Sequence, residues 1–223
     1  MKTPRTYLHE LEQCTNAMFE PFSAAINFQI AKNIDGNTYV AASCKDGAFK
    51  CLHSPVGEFL DELFIAKKHS STAYSHKFLD VGCGVGQKVF LAKINGCEAF
   101  GIDLRQEFVV ESRRLDLLYN EAAHWRLGGI EREQDKNKFT QADAITYDKY
   151  DTYGIIYFYQ PISDPDKLKA METQIAKTAK IGSVVIGFGS LTMFVNNGCG
   201  SEKMVVALGW ERIGTSRCWK KIK

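Results

Sequence analysis

The run Phe78-Leu79-Asp80-Val81-Gly82-Cys83-Gly84-Val85-Gly86 joins an apolar segment that ends in a carboxylate to three glycines at alternate positions. Without a Cβ, such a turn lets backbone N–H groups come closer to a ligand than other residues allow. The pattern D-x-G-x-G-x-G differs from the dinucleotide fingerprint G-x-G-x-x-G, whose third glycine falls three residues after the second and which needs no strand acid. An acid with tighter glycine spacing suits a ligand bearing an ammonium and a carboxylate better than one bearing a pyrophosphate.

Three further positions follow apolar runs. Asp103 ends Phe100-Gly101-Ile102-Asp103, and its two oxygens can accept both hydroxyls of a ribose. An acid about 20 residues past the glycine loop reads a ribose in nucleotide folds, whereas an isolated Asp at a strand end more often caps a turn. Asp143 lies in Gln141-Ala142-Asp143-Ala144, with Asp148 and Asp151 nearby; its plain alternative is a solvated loop acid. In Tyr159-Gln160-Pro161-Ile162, the Gln160 carbonyl can hold an amine, and Tyr159 can pack against it or accept a proton. Equally, Tyr159 is a core aromatic and Gln160-Pro161 turns the chain.

The loop from Asp80 to Gly86 resembles the cofactor loop of class I S-adenosylmethionine (SAM) methyltransferases. The resemblance spans roughly His76 to Lys223, about two thirds of the chain. It implies that Gly82 and Gly84, with Cys83 and Gly86 completing the loop, set the backbone against the methionine part of SAM. Asp80 would orient the ammonium end, directly or through water. It further implies that Asp103, with Leu104 beside it, holds the ribose, that Asp143 accepts from the adenine amino group, and that the Ala144 N–H serves a ring nitrogen. The loop Tyr159, Gln160, Pro161 would face the transferred methyl and carry catalysis. Here the chain departs from amino-group methyltransferases acting on adenine or glutamine, which carry Asn or Asp, then Pro-Pro and an aromatic. The resemblance therefore bears on SAM more than on the acceptor. The implied activity is methyl transfer by direct displacement, with an amino group of a protein or small molecule favoured over nucleic acid as acceptor. Two other readings are a non-catalytic SAM-binding or interaction protein on the same scaffold and an NAD-dependent oxidoreductase; Asp80 and the glycine spacing weigh against the latter.

These residues must be carried by alternating elements. Strand-like runs are expected at 77–81, 98–102, 138–141, 153–159 and 183–188, with helices at 87–95, 106–125, 166–180 and 202–208. Such alternation indicates βαβ units and a parallel sheet, and the almost wholly apolar runs at 155–159 and 184–188 suit central strands. Two closing strands, 211–215 and 218–222, suggest an antiparallel hairpin at one edge. In the methyltransferases the seventh strand is inserted antiparallel to the others, which the tail resembles. The expected fold is α/β: a doubly wound, mostly parallel seven-stranded sheet with an antiparallel C-terminal hairpin, plus an N-terminal helical and hairpin extension. Residues 1–75 form that extension, placed to cover the substrate, and 76–223 the SAM-binding domain. Within the extension a helix is expected at 7–19, a hairpin around the Asp46-Gly47 step, and a helix from Ser54-Pro55 to Lys68 with serine as cap and proline at its first position.

Composition narrows the partners. A formal charge of +2 over 223 residues lacks the basic excess of a phosphate-gripping protein, and residues 1–75 hold eight acids against seven Lys and Arg. The seven cysteines are odd in number and show no C-x-x-C, and no histidine is at metal-ligand spacing, so no disulfide framework or zinc site is expected. His53 and His76 are possible entrance residues, more simply surface ones. Lys220, Lys221 and Lys223 read as a solvated strand end. With no apolar leader and no spanning segment, the expected compartment is the cytoplasm and no membrane partner is expected.

Overall fold

The protein is described from a computed structural model, over residues 4–35, 55–127, 138–159, 161–188 and 200–223. The expected hairpin at 37–52, His53, the Ser54 cap and Gln160 lie outside the described residues.

Seven strands form one sheet: β1 (Lys77–Val81), β2 (Glu98–Asp103), β3 (Phe139–Gln141), β4 (Ile155–Phe158), β5 (Val184–Ile186), β6 (Trp210–Arg212) and β7 (Cys218–Lys221). Their order is β3-β2-β1-β4-β5-β7-β6. Strands β1 to β5 pair in parallel, while β7 lies antiparallel between β5 and β6. Val81 stands opposite both Ile102 and Phe158, and Asp103 opposite Gln141. The carboxyl ends of β1 to β4 therefore reach one edge, and the order reverses between β1 and β4. That reversal is where open α/β sheets place ligands.

Helices α1 (Pro4–Asp35), α2 (Val56–His69), α3 (Gln87–Ile94), α4 (Gln106–Leu127), α5 (Pro165–Thr178) and α6 (Gly200–Ala207) complete the fold. Alternation along β1 sends Phe78 and Asp80 to one face and Leu79 and Val81 to the other. On the first face, Val56, Phe59, Leu63 and Ala66 of α2 pack with Phe78, Val89, Tyr157 and Ile186. On the second, Leu168, Met171 and Ile175 of α5 pack with Leu79, Val81, Ile156 and Phe158. The sheet is thus doubly wound, as expected.

Helix α1 adds a layer outside α3 and α4. Its buried residues Thr15, Phe19, Ser23 and Ile26 recur every three or four positions, and Phe19 and Ile26 pack with Val85, Phe108 and Leu115. The Thr15 and Ser23 hydroxyls donate to the carbonyls of Leu11 and Phe19, so polar residues sit on the buried stripe with their bonds made. The helix is longer than the expected 7–19 and runs through Pro21. Phe19, Ser23 and Ile26 dock on both sides of the proline, which offsets its missing N–H.

Three other expectations are corrected. Pro55 precedes α2 in an extended conformation (ψ 133°) rather than opening it; Glu12 Oε1 of α1 accepts the Val56 N–H at 3.1 Å, so the cap comes from another helix. Strand β6 ends at Arg212 instead of 215, where the turn through Gly214 begins and Arg212 Nε donates to the Ser216 carbonyl. Lys221 is buried: its Nζ donates to the carbonyls of Ala176 and Lys177 at the end of α5, where a cation satisfies orphan acceptors.

Candidate active site

The strand ending in Asp80 turns through Gly82, Gly84 and Gly86 at φ 77°, 53° and 87°. For Gly82 and Gly86 the lack of a side chain is also a packing requirement. A Cβ on Gly82 would lie 2.5 Å from the Pro161 Cβ, and one on Gly86 2.9 Å from the Phe139 ring. Gly82 thus lets the loop after β4 close onto the loop after β1. Cys83 is buried, with its side chain against Gly101, the small filler its place in the loop demands.

Asp103 completes the loop from the neighbouring strand. The Gly84 N–H donates to its Oδ2 at 3.0 Å and the Arg105 N–H to its Oδ1 at 2.9 Å. The N–H groups of Gly82 and Cys83 donate to the Ile102 carbonyl, so the glycine turn is pinned to β2 at several points. Burial pushes the Asp103 carboxyl up to about 6, against the lowering effect of the two backbone N–H bonds and the Arg105 charge. Asp80 is 3% exposed, and burial pushes it up to about 8. The Lys88 ammonium opposes that rise, and the like charge of Asp103 adds to it. Two carboxylates facing one loop, each ionised at a cost, favour a cation between or beside them.

The structure brings together Asp80, Gly82, Cys83, Gly84, Gly86, Asp103 and Pro161. Tyr159 is half-buried at the end of β4, beneath the Arg217 guanidinium, 5.9 Å from its ring centroid. Leu104 is 46% exposed, and its carbonyl accepts from Gln141 Nε2. Asp143 is exposed on the loop after β3, with Oδ1 accepting the Ile145 N–H at 2.9 Å; the carboxylate closes its own turn. The neighbouring Ala144 presents its carbonyl to the Tyr150 hydroxyl.

Sequence reasoning missed two features. Lys88 is 5% exposed, and its signal was a lysine sharing a helix face with Leu91 and Ala92. Arg217 pairs with Glu62 of α2 through two bonds, 2.6 and 2.9 Å, and carries the α2 layer to Tyr159; Arg217 and Glu62 are 155 residues apart and leave no local pattern. His76 faces solvent and lies 3.2 Å from Glu98, a surface contact. Among the described residues no cluster of three or more His, Cys, Asp or Glu is placed to hold a metal ion, and no helix is long and apolar enough to cross a membrane.

No protein-family model matches the chain, and no curated protein matches it. Solved structures similar to it include a SAM-dependent methyltransferase from Clostridium acetobutylicum (18% identity, TM-score 0.38, covering 57% of this chain and 46% of that one). SAM-bound CalS10, an amino pentose methyltransferase from Micromonospora echinaspora, matches at 17% identity and TM-score 0.42, over 58% and 48%. The CcbJ methyltransferase from Streptomyces caelestis matches at 14% identity and TM-score 0.43, over 59% and 48%. The chain spans about half the length of these structures. The fold class rests on the strand order and register themselves.

Proposed function

We propose that the protein is a SAM-dependent methyltransferase whose cofactor lies over the glycine loop after β1. The observation that carries this reading is the pair of carboxylates, buried Asp80 in β1 and Asp103 at the end of β2, flanking the glycine loop that donates the Gly84 N–H to Asp103. A ligand carrying an ammonium and two ribose hydroxyls offers each carboxylate what it lacks. The residues fit that group: Asp80 would hold the ammonium end, Asp103 the ribose, and the loop would keep both at one edge of the sheet. Bound SAM supplies a methyl on a sulfonium, already a good leaving group.

The protein's own part is alignment, so proximity and orientation supply much of the acceleration and no covalent enzyme intermediate is required. Tyr159, Gln160 and Pro161 follow β4 in the sequence and are the residues we assign to the acceptor side. Pro161 packs on Gly82, which supports that placement. Asp143 and Ala144 would receive the adenine edge, for which the Asp143 turn would have to lend its remaining oxygen. The acceptor we favour is an amino group of a protein or small molecule. Residues 1–75, substrate-covering in this reading, are near neutral in charge.

Equilibrium dialysis with SAM, S-adenosylhomocysteine and NAD tests the cofactor, and labelled SAM with a cell extract tests transfer. Retention of the first two but not NAD, with label entering an extract fraction, is the expected result. Retention without label transfer would favour a non-catalytic SAM-binding protein, and retention of NAD alone would replace the reading with an oxidoreductase.

A further inference from the structure

A chain of polar side chains links α1 to the start of α3, on the sheet face that carries Asp80. Asn16 of α1 accepts, through Oδ1, a bond from Gln87 Nε2 at 2.8 Å. Gln87 Oε1 accepts from Lys88 Nζ at 2.9 Å. Gln87 is 1% exposed and Lys88 5%. The ammonium also stands 5.5 Å from the centroid of the Phe59 ring of α2, a favourable place for a desolvated cation. Lys88 is thus held by Gln87, and through it by Asn16, against the ring of Phe59, which packs edge-on to Phe78 on the face of β1 that also carries Asp80.

We propose that Lys88 is a positioning residue: held by Gln87, and through it by Asn16, it ties the seating of helix α1 to the charge on Asp80, and so to the retention of a cationic ligand there. The last clause rests on the SAM reading above; the coupling itself does not. Several of the charged groups on the elements packed around it are engaged elsewhere. Glu12 of α1 caps Val56, and Glu62 of α2 holds Arg217, which also lies 3.7 Å from Glu58. Asp103 of β2 accepts from Gly84 and Arg105, with the Arg105 and Glu107 charges acting on it. Lys88 is the cation whose charge opposes the burial of Asp80. Displacing α1 takes away the Asn16 anchor, frees Gln87, and loosens Lys88 from the carboxylate it stabilises. The carboxylate then holds its proton to higher pH and no longer attracts a cation. Helix α1 would in this way set how firmly the site holds its ligand.

The test is a carbon-13 carboxyl NMR titration of Asp80 without ligand, in the parent, Lys88→Met, Lys88→Arg and Asn16→Ala, followed by SAM titrations from about pH 6 to pH 9. The expected result is an Asp80 midpoint raised by about one pH unit or more in Lys88→Met, a tenfold change in proton affinity. Lys88→Arg should return it toward the parent, and Asn16→Ala should raise it by a smaller amount. SAM affinity in Lys88→Met should fall about tenfold near neutral pH, with the gap closing as pH rises and Asp80 ionises. Coincident midpoints in parent and Lys88→Met overturn the coupling, as does an affinity loss equal at every pH. Should Lys88→Met fail to fold, Asn16→Ala decides alone, and an unmoved midpoint there refutes it. Shifted midpoints in a protein that ignores SAM would uphold the coupling and sink the cofactor reading; bound SAM with unmoved midpoints would do the reverse.

Discussion

Replacing Asp80 by Asn should make the ligand-free protein more stable and less able to bind. Asp80 is 3% exposed, and its carboxyl is pushed from the ordinary 3.8 to about 8, chiefly by burial. Its pKa is higher folded than unfolded, so the protonated form contributes full stability below about pH 4, and that contribution is lost as pH rises through about 8. At about 1.4 kcal/mol per pK unit, the shift sets an upper bound of about 5–6 kcal/mol on the cost of holding the charge. About 1.5 kcal/mol of that is already lost below pH 5, where only the unfolded chain ionises, which leaves at most about 4 kcal/mol above it. Asn is neutral throughout and escapes this cost. The difference in unfolding free energy between Asp80→Asn and the parent should therefore widen by up to about 4 kcal/mol between pH 5 and pH 9, roughly 8–16 °C in Tm for a chain of this size. Urea unfolding of both proteins at several pH values measures it. Using the difference cancels titrating groups remote from Asp80, while the coupled charge of Asp103 belongs to the measured effect. A difference that stays constant with pH would refute the claim that Asp80 is buried at an electrostatic cost, and with it the idea that the site waits for a cation.

Other substitutions probe the remaining contacts. Asp103→Ala removes the acceptor for the Gly84 and Arg105 N–H groups and should weaken SAM binding by about 1.5–3 kcal/mol, seen by calorimetry of a folded variant. Gly82→Ala places a Cβ 2.5 Å from Pro161 at φ 77° and should destabilise by about 2–3 kcal/mol in urea unfolding, with the β4 loop displaced. Arg217→Ala leaves Glu62, itself 8% exposed, without its bidentate partner and should cost about 1–3 kcal/mol; adding Glu62→Gln should recover part of that loss, a coupling that a double-mutant cycle reads out.

What the sequence discloses here is set by range. The β1 strand, glycine turn and α3 are legible because apolar alternation, a strand-end acid and the glycines lie within a dozen residues and answer to local sterics. The antiparallel closing hairpin is legible for the same reason. Lys221 misleads because a lysine at a strand end looks solvated until α5, more than forty residues earlier, supplies the carbonyls it reaches. Pro21 likewise suggests an interruption, since only packing against α3 and α4 carries the helix past it. In the candidate site, Asp80 and Asp103 emerge from strand ends, whereas Lys88 depends on Asn16, which is 71 residues from Gln87 along the chain. Asp143 follows β3 as its position in the sequence suggests, and its Oδ1 accepts the Ile145 N–H, a local contact that position alone does not disclose.

The most direct test of the cofactor reading is a calorimetric titration with SAM near pH 7 in two buffers of different ionisation enthalpy. An Asp80 that is mostly protonated in the free protein and ionised beside the ligand cation should yield saturable binding with release of a fraction of a proton up to about one. A folded sample that shows no saturable heat at millimolar SAM, or that takes up protons on binding, would contradict it.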